Sequence, residues 1–279
     1  MKLCTYATDK GPRVGVMSGD LVIDAGIDGT MIDVIRDEAA LRPALEKAAA
    51  SGAGVALSSV TLLAPVLRPG KVFAIGLNYA DHIEESKMAT PEHQVWFTKA
   101  VTSVNGPFAP VQIPKISAFV DYEVELVAVI GKAGRHIPAD RAAAHIFGYC
   151  VGNDVTERFW QHRTPQWSLG KSFDTHAPIG PWITTSDAVP DVHDLGIRCL
   201  VNGEARQTSN TRHLVFDVWR QIEHLSQAMT LEPGDLIFTG TPGGIGAAME
   251  PRRFLKAGDV VRCEIDGLGA IENRFEPEA

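Results

Sequence analysis

Three carboxylates alternate along Phe119-Val-Asp-Tyr-Glu-Val-Glu-Leu-Val-Ala-Val-Ile130. Read as a β-strand, the segment sends Asp121, Glu123 and Glu125 to one face and Val120, Tyr122, Val124, Leu126 and Ala128 to the other. The carboxylate face also carries Phe119, Val127 and Val129, so it is no ordinary solvated surface. Like charges about 7 Å apart on such a strand resist burial without a positive partner. A divalent cation is the simplest such partner. The plainer alternative is a half-exposed strand facing water.

Other segments could complete the chemistry. Gly148-Tyr-Cys-Val-Gly-Asn-Asp154 reads as a strand whose last carboxylate could join Glu123 and Glu125, or could merely cap the next helix. Three oxygen ligands with open positions suit Mg²⁺ or Mn²⁺ better than a soft metal. If a helix starts near Asn78 or Tyr79, His82 and Glu85 share a face at i, i+3. A carboxylate beside an imidazole orients it as a general base, although the same spacing also describes a surface pair. The polar stretch 86–94 that follows suits a cover segment. Lys171, in Gly170-Lys-Ser-Phe-Asp-Thr-His176, is either a turn lysine or one aimed at substrate negative charge. The glycine-rich turn after Leu236-Ile-Phe-Thr could present N–H groups and the Thr241 hydroxyl to an anion, or be a plain turn.

The elements that must hold these residues read as a β-rich α+β chain. Residues 1–66 look like a small N-terminal α/β accessory unit. It has strands at Leu3–Ala7, Arg13–Met17 and Leu21–Asp24, then a helical stretch from Met31 to about Ala50. From residue 67 to 279, short apolar runs separated by Gly and Pro predict strands. They lie at Val72–Ile75, Val120–Ile130, Ile146–Val151, Ile179–Thr184, Ile197–Val201, Leu236–Thr239, Val260–Ile265 and Ala270–Phe275. Helices are expected after Asn78, at Ala139–Ala144 and at Val215–Met229.

Composition narrows the function classes. The 279 residues are 45% hydrophobic and 22% charged, as in an ordinary globular protein. A formal charge of −8 argues against nucleic acid and against anionic membranes as partners. Cys4, Cys150, Cys199 and Cys263 show no metal-binding or disulfide spacing. With neither a signal-like start nor a run of about 20 apolar residues, a reducing cytoplasm is the expected location.

Taken together, the blocks Gly76-Leu-Asn-Tyr-Ala-Asp-His82, Asp121-Tyr-Glu-Val-Glu-Leu126, Gly152-Asn-Asp-Val-Thr156, Gly170-Lys-Ser-Phe-Asp-Thr175, Leu200-Val-Asn-Gly-Glu204 and Gly240-Thr-Pro242 resemble the fumarylacetoacetate hydrolase family. The resemblance runs from about residue 70 to the C-terminus, and the short N-terminal unit is similar to that of the short bacterial members. It implies a mixed β-sandwich roll, a homodimer, and one Mg²⁺ or Mn²⁺ per chain on Glu123, Glu125 and Asp154. It leaves Asp121 outside the ligand set. It makes His82 and Glu85 a catalytic dyad on a lid and Lys171 the active-site lysine. Gln161 and Thr241 match substrate-contacting positions, with Thr175 a weaker candidate near the metal, and Tyr79 and Arg158 are added as candidate substrate contacts. The implied substrate is a small 2-oxo acid. The leading expectation is hydrolysis of an acylpyruvate such as fumaryl- or maleylpyruvate to pyruvate and a carboxylic acid, in aromatic catabolism. Oxaloacetate decarboxylation and isomerisation or decarboxylation of an unsaturated oxo-diacid are the alternatives, with a non-catalytic metal-binding module as a remote one. Arg158, Arg163, Trp160 and Trp167 lie where an arginine could take a second carboxylate, or form a surface salt bridge.

Overall fold

A computed structural model describes residues 1–85, 89 and 91–279, without the side chain of His82. The cover segment expected at 86–94 lies in part outside the described residues. Among the described residues, two mixed sheets, a two-stranded ladder and a few short helices make up the fold. The larger sheet runs in the order Val55–Ala56, Leu21–Asp24, Gly11–Ser18, Lys2–Thr8, Ala177–Thr185, Ile146–Asn153, Val124–Ile130, Leu236–Phe238, Val72–Gly76 and Val95–Thr98. The smaller one runs Glu204–Asn210, Gly196–Val201, Val260–Ile265, Gly269–Pro277 and Val111–Ile113. The N-terminal strands join the main sheet directly, with Lys2 opposite Thr184 and Leu3 opposite Ile183.

The central strand Val124–Ile130 is buried on both faces, which explains its nearly unbroken apolar run. Leu126, Ala128 and Ile130 enter a core shared with the smaller sheet (Ile197, Val261, Ile271) and with helix Val218–Ala228. Val127 and Val129 enter a second core with Val14, Val16 and the helices Met31–Arg36 and Glu38–Ser51. Helix Val218–Ala228 follows from its sequence. Asp217 caps it by accepting from Arg220 N at 2.8 Å, and Val218, Ile222 and Leu225 make its buried stripe.

Four readings change. The stretch 120–130 is two strands, because Val120–Asp121 leaves the main sheet to pair with Thr156–Glu157. The Asp121 carboxylate draws it away by accepting from the N–H groups of Tyr122, Gly246 and Ala247. The helical stretch after Met31 is two helices that break at Asp37. Residues Ala139–His145 form a 3-10 helix rather than an α-helix. Strands Val95–Thr98 and Glu204–Asn210 were not foreseen, and the helix or turn expected after Asp154 is helix Arg158–His162, capped by Glu157 rather than Asp154.

Candidate active site around a buried carboxylate triad

Antiparallel pairing assembles the triad. Val124 lies opposite Asn153 and Glu125 opposite Gly152, so Glu123 and Asp154 meet where the two strands end. Asp154 N donates to Glu123 O at 2.8 Å, and Glu123 N donates to Asn153 Oδ1 at 3.0 Å. Gly152 is needed here, since a Cβ would sit 2.5 Å from Val127 Cγ2 and 2.6 Å from Phe238 Cε1. One carboxylate oxygen from each of Glu123, Glu125 and Asp154 falls within 4.8 Å of the others, and all three residues are buried.

Cations surround two of the three. Lys171 Nζ lies 2.6 Å from both Glu123 Oε2 and Asp154 Oδ2. Lys99, which sequence reasoning missed, reaches the other Asp154 oxygen at 2.5 Å. Arg158 Nη1 lies 2.6 Å from Glu123 Oε1, while its Nε donates to Asp121 at 2.9 Å. Burial opposes the charge on Lys171, but Asp154 and Glu123 hold its pKa above the ordinary lysine value. Burial pushes the Lys99 pKa down, with Asp154 pulling the other way.

Glu125 is different. It accepts from Gly240 N at 2.8 Å and has no cationic partner at ion-pair distance among the described residues. Burial, reinforced by Asp154 and Glu123, pushes its pKa well above the carboxylate range. A buried carboxylate lacking a counter-charge beside two others is the donor set of a hard divalent cation. The residues present therefore fit Mg²⁺ or Mn²⁺, with Glu123, Glu125 and Asp154 as its holders. Asp121 stays apart from this set, locked to Arg158 and to the N–H groups of residues 246 and 247.

The other expected residues fall around the triad to different degrees. His82 is on helix Ala80–Glu85, but its side chain is outside the described residues. Glu85 Oε2 accepts from Gly244 N at 2.9 Å, which docks this helix on the glycine turn, and Asp81 accepts from Ser209 Oγ at 2.6 Å, which ties it to strand Glu204–Asn210. Tyr79 is fully buried with an unpartnered hydroxyl; burial, then Glu125, raises its pKa far above the phenol value. Gln161 is buried and accepts from Arg158 Nη1 at 3.0 Å. Thr241 Oγ1 donates to Val124 O at 3.0 Å and accepts from Gln207 Nε2 at 2.8 Å, which holds it beside the strand that carries Glu125. Thr175 Oγ1 accepts from Gln112 N at 2.9 Å, which ties it to a strand of the smaller sheet. Arg163 stacks over Trp160 at 5.0 Å, and Trp167 packs on Phe97.

The match to the family model for the fumarylacetoacetate (FAA) hydrolase C-terminal region covers residues 71–276. The chain belongs to the fumarylacetoacetate hydrolase family. The rat (Rattus norvegicus) mitochondrial protein named oxaloacetate tautomerase Fahd2a is 45% identical over 94% of this chain and 87% of its own. The maleylpyruvate hydrolase of Sphingobium sp. SYK-6, solved with manganese(II) and pyruvate, is 35% identical, with a TM-score of 0.86 over 100% of both chains. The 2-hydroxyhepta-2,4-diene-1,7-dioate isomerase of Mycobacterium marinum is 32% identical, with a TM-score of 0.80 over 100% of this chain and 99% of its own. Family members are thus enzymes of several reaction types that bear on small molecules. No helix among the described residues is long and apolar enough to cross a membrane.

Proposed function

We propose that this chain catalyses keto–enol exchange on a 2-oxo diacid of the oxaloacetate class, with a divalent metal held by Glu123, Glu125 and Asp154. The observation that carries the chemistry is the pair of buried lysines beside a triad whose third carboxylate lacks a cation. The choice of reaction is supported by the 45% identity to the rat oxaloacetate tautomerase, which extends over nearly the whole chain.

When bound, the metal supplies Lewis acidity toward a 2-oxo carboxylate. The exchange moves one proton between the enol oxygen and C3. The chain must therefore hold negative charge at that oxygen and give or take a proton at carbon. Lys171 keeps an ammonium at the triad and favours an oxyanion arriving there. His82 is the proposed proton carrier, on a helix tethered to the glycine turn through Glu85 and to strand Glu204–Asn210 through Asp81. Arg158, with Gln161 on its guanidinium, is the proposed holder of a substrate carboxylate.

A second reading is hydrolysis of an acylpyruvate, in which His82 would activate water against the distal carbonyl. The 35% identity to maleylpyruvate hydrolase favours it. A ¹H NMR time course with Mg²⁺ separates the two. Enol oxaloacetate and maleylpyruvate would be offered in turn, each against an enzyme-free control. Faster loss of the enol signal with no organic acid from maleylpyruvate supports exchange. Pyruvate plus maleate, with the enol decaying at the control rate, would replace it by the hydrolase.

A further inference from the structure

A polar cavity opens beside Tyr122, and none of its lining residues belongs to the triad. It has a volume of about 270 Å³, and its walls include Tyr122, Arg206, Arg252, Arg253, Phe254 and Lys256. The cations outnumber the carboxylates available to them. Arg206 and Arg253 share Glu204, at 3.1 Å and 2.9 Å. Asp259, also in the wall, spends its oxygens on Asn202 Nδ2 and Lys256 N, both at 2.8 Å. Arg252 and Lys256 have no ion-pair partner among the described residues. Four cations thus face two carboxylates, in a chain whose formal net charge is −8.

Arg206 supplies an independent pointer. Its side chain is only 6% exposed, yet its Nε is buried without a hydrogen-bond partner. One of its terminal nitrogens rests on Met249 Sδ at 3.1 Å, a weak acceptor. A guanidinium taken out of water normally spends its fork on carboxylate or phosphate oxygens. The unused donor, the unpaired Arg252 and Lys256 and the partly open cavity call for the same missing partner, a small anion. Phe254, Leu255 and Val201 add apolar wall to the cavity. A carbon-backed anion with two charged ends meets both demands better than inorganic phosphate.

We propose that this cavity is a second, non-catalytic binding site for a small dicarboxylate. It does not rest on the reaction assigned above. Its position gives it a route to the active site. Tyr122 precedes Glu123 in the chain, and its hydroxyl donates to Gly244 O at 3.0 Å. Gly244 N in turn donates to Glu85 on the helix that carries His82. Two hydrogen bonds thus link the cavity wall to the helix that carries His82.

The test is calorimetric titration of the whole chain with glutarate at fixed ionic strength, metal-free and with Mg²⁺. Inorganic phosphate and NaCl serve as parallel titrants. Saturable one-site glutarate binding is expected, the same within twofold with and without Mg²⁺, and tighter than phosphate. The double variant Arg252→Ala/Lys256→Ala changes two exposed side chains, and is expected to weaken binding at least tenfold. Three results overturn the proposal: no saturable heat; binding that needs Mg²⁺ and survives the double variant, which assigns it to the triad; or phosphate binding more tightly than glutarate.

Discussion

Glu125 is the residue on which the metal assignment turns. Its neighbours Glu123 and Asp154 already have cations, so the charge left over in the triad belongs to it. Glu125→Gln should therefore act in two directions. The amide oxygen keeps the bond from Gly240 N while the cost of charging or protonating a buried acid disappears. Metal-free variant should be at least as stable as metal-free wild type, by up to about 2 kcal/mol. Mn²⁺ affinity should fall at least tenfold, because one of three ligands is weakened. Thermal melts and metal titration on the same samples check both; a variant that melts much lower without metal would sink this reading. His176 gives a pH prediction of known sign. It is buried, with Nε2 2.9 Å from Gln112 O, and burial lowers its pKa from 6.5 to about 3. The unfolded chain therefore binds the extra proton first. Stability is complete above pH 6.5 and falls by about 1.4 kcal/mol per pH unit below it, levelling near pH 3. In His176→Gln this part of the acid limb should vanish, so the stability difference between wild type and variant should change by about 1.4 kcal/mol per pH unit between pH 6.5 and 4 in urea titrations, whereas a difference that stays flat would contradict the assignment.

At the scale of elements, the glycine turn after Leu236–Phe238 organises the site. Gly240 N serves Glu125, Gly244 N serves Glu85, and Gly244 O serves Tyr122. Gly244 has φ +102°, and a Cβ there would lie 1.9 Å from Arg206 O. Gly244→Ala should cost more than about 2 kcal/mol and most of the activity. Gly243→Ala, whose Cβ would make an ordinary 3.4 Å contact with Asp81 O, should fold normally. Equal melting temperatures for the two variants would contradict this account of the turn. The elements also show what was readable in advance. Val124–Ile130 and Ile146–Asn153 announce themselves because apolar residues line both buried faces, and their terminal carboxylates follow from strand alternation. Glu204–Asn210 is a polar edge strand with no such pattern, so it passed unseen. Lys99 follows the edge strand Val95–Thr98, and only tertiary pairing with Val72–Gly76 turns it inward to Asp154. Nothing local marks it. Asp121 stays outside the ligand set as expected, but alternation could not foresee why: backbone N–H groups at residues 246 and 247 capture its carboxylate.

For the whole molecule, the main sheet binds the N-terminal 66 residues to the rest. Lys2–Thr8 covers the edge of Ala177–Thr185, and Leu3, Val14 and Val16 share a core with Ile179 and Ile183. Removing residues 1–66 would bare an apolar strand edge, the usual template for aggregation. Size-exclusion chromatography should show aggregate for the truncated chain; a monodisperse, folded product would mean that the N-terminal unit is a separable appendage. The two buried faces of the central strand place the carboxylates between the cores, where water cannot screen them. That placement makes the metal site and the enzyme one problem, and a single measurement addresses both. Ketonisation of enol oxaloacetate would be followed against added Mn²⁺ for wild type and Asp154→Asn, each corrected for the enzyme-free rate. The account predicts a wild-type rate that rises to saturation at one Mn²⁺ per chain and vanishes with chelator, and a variant at least 100-fold slower at the same metal concentration. A wild-type rate indifferent to Mn²⁺ and chelator, or a variant as fast as wild type, would contradict it.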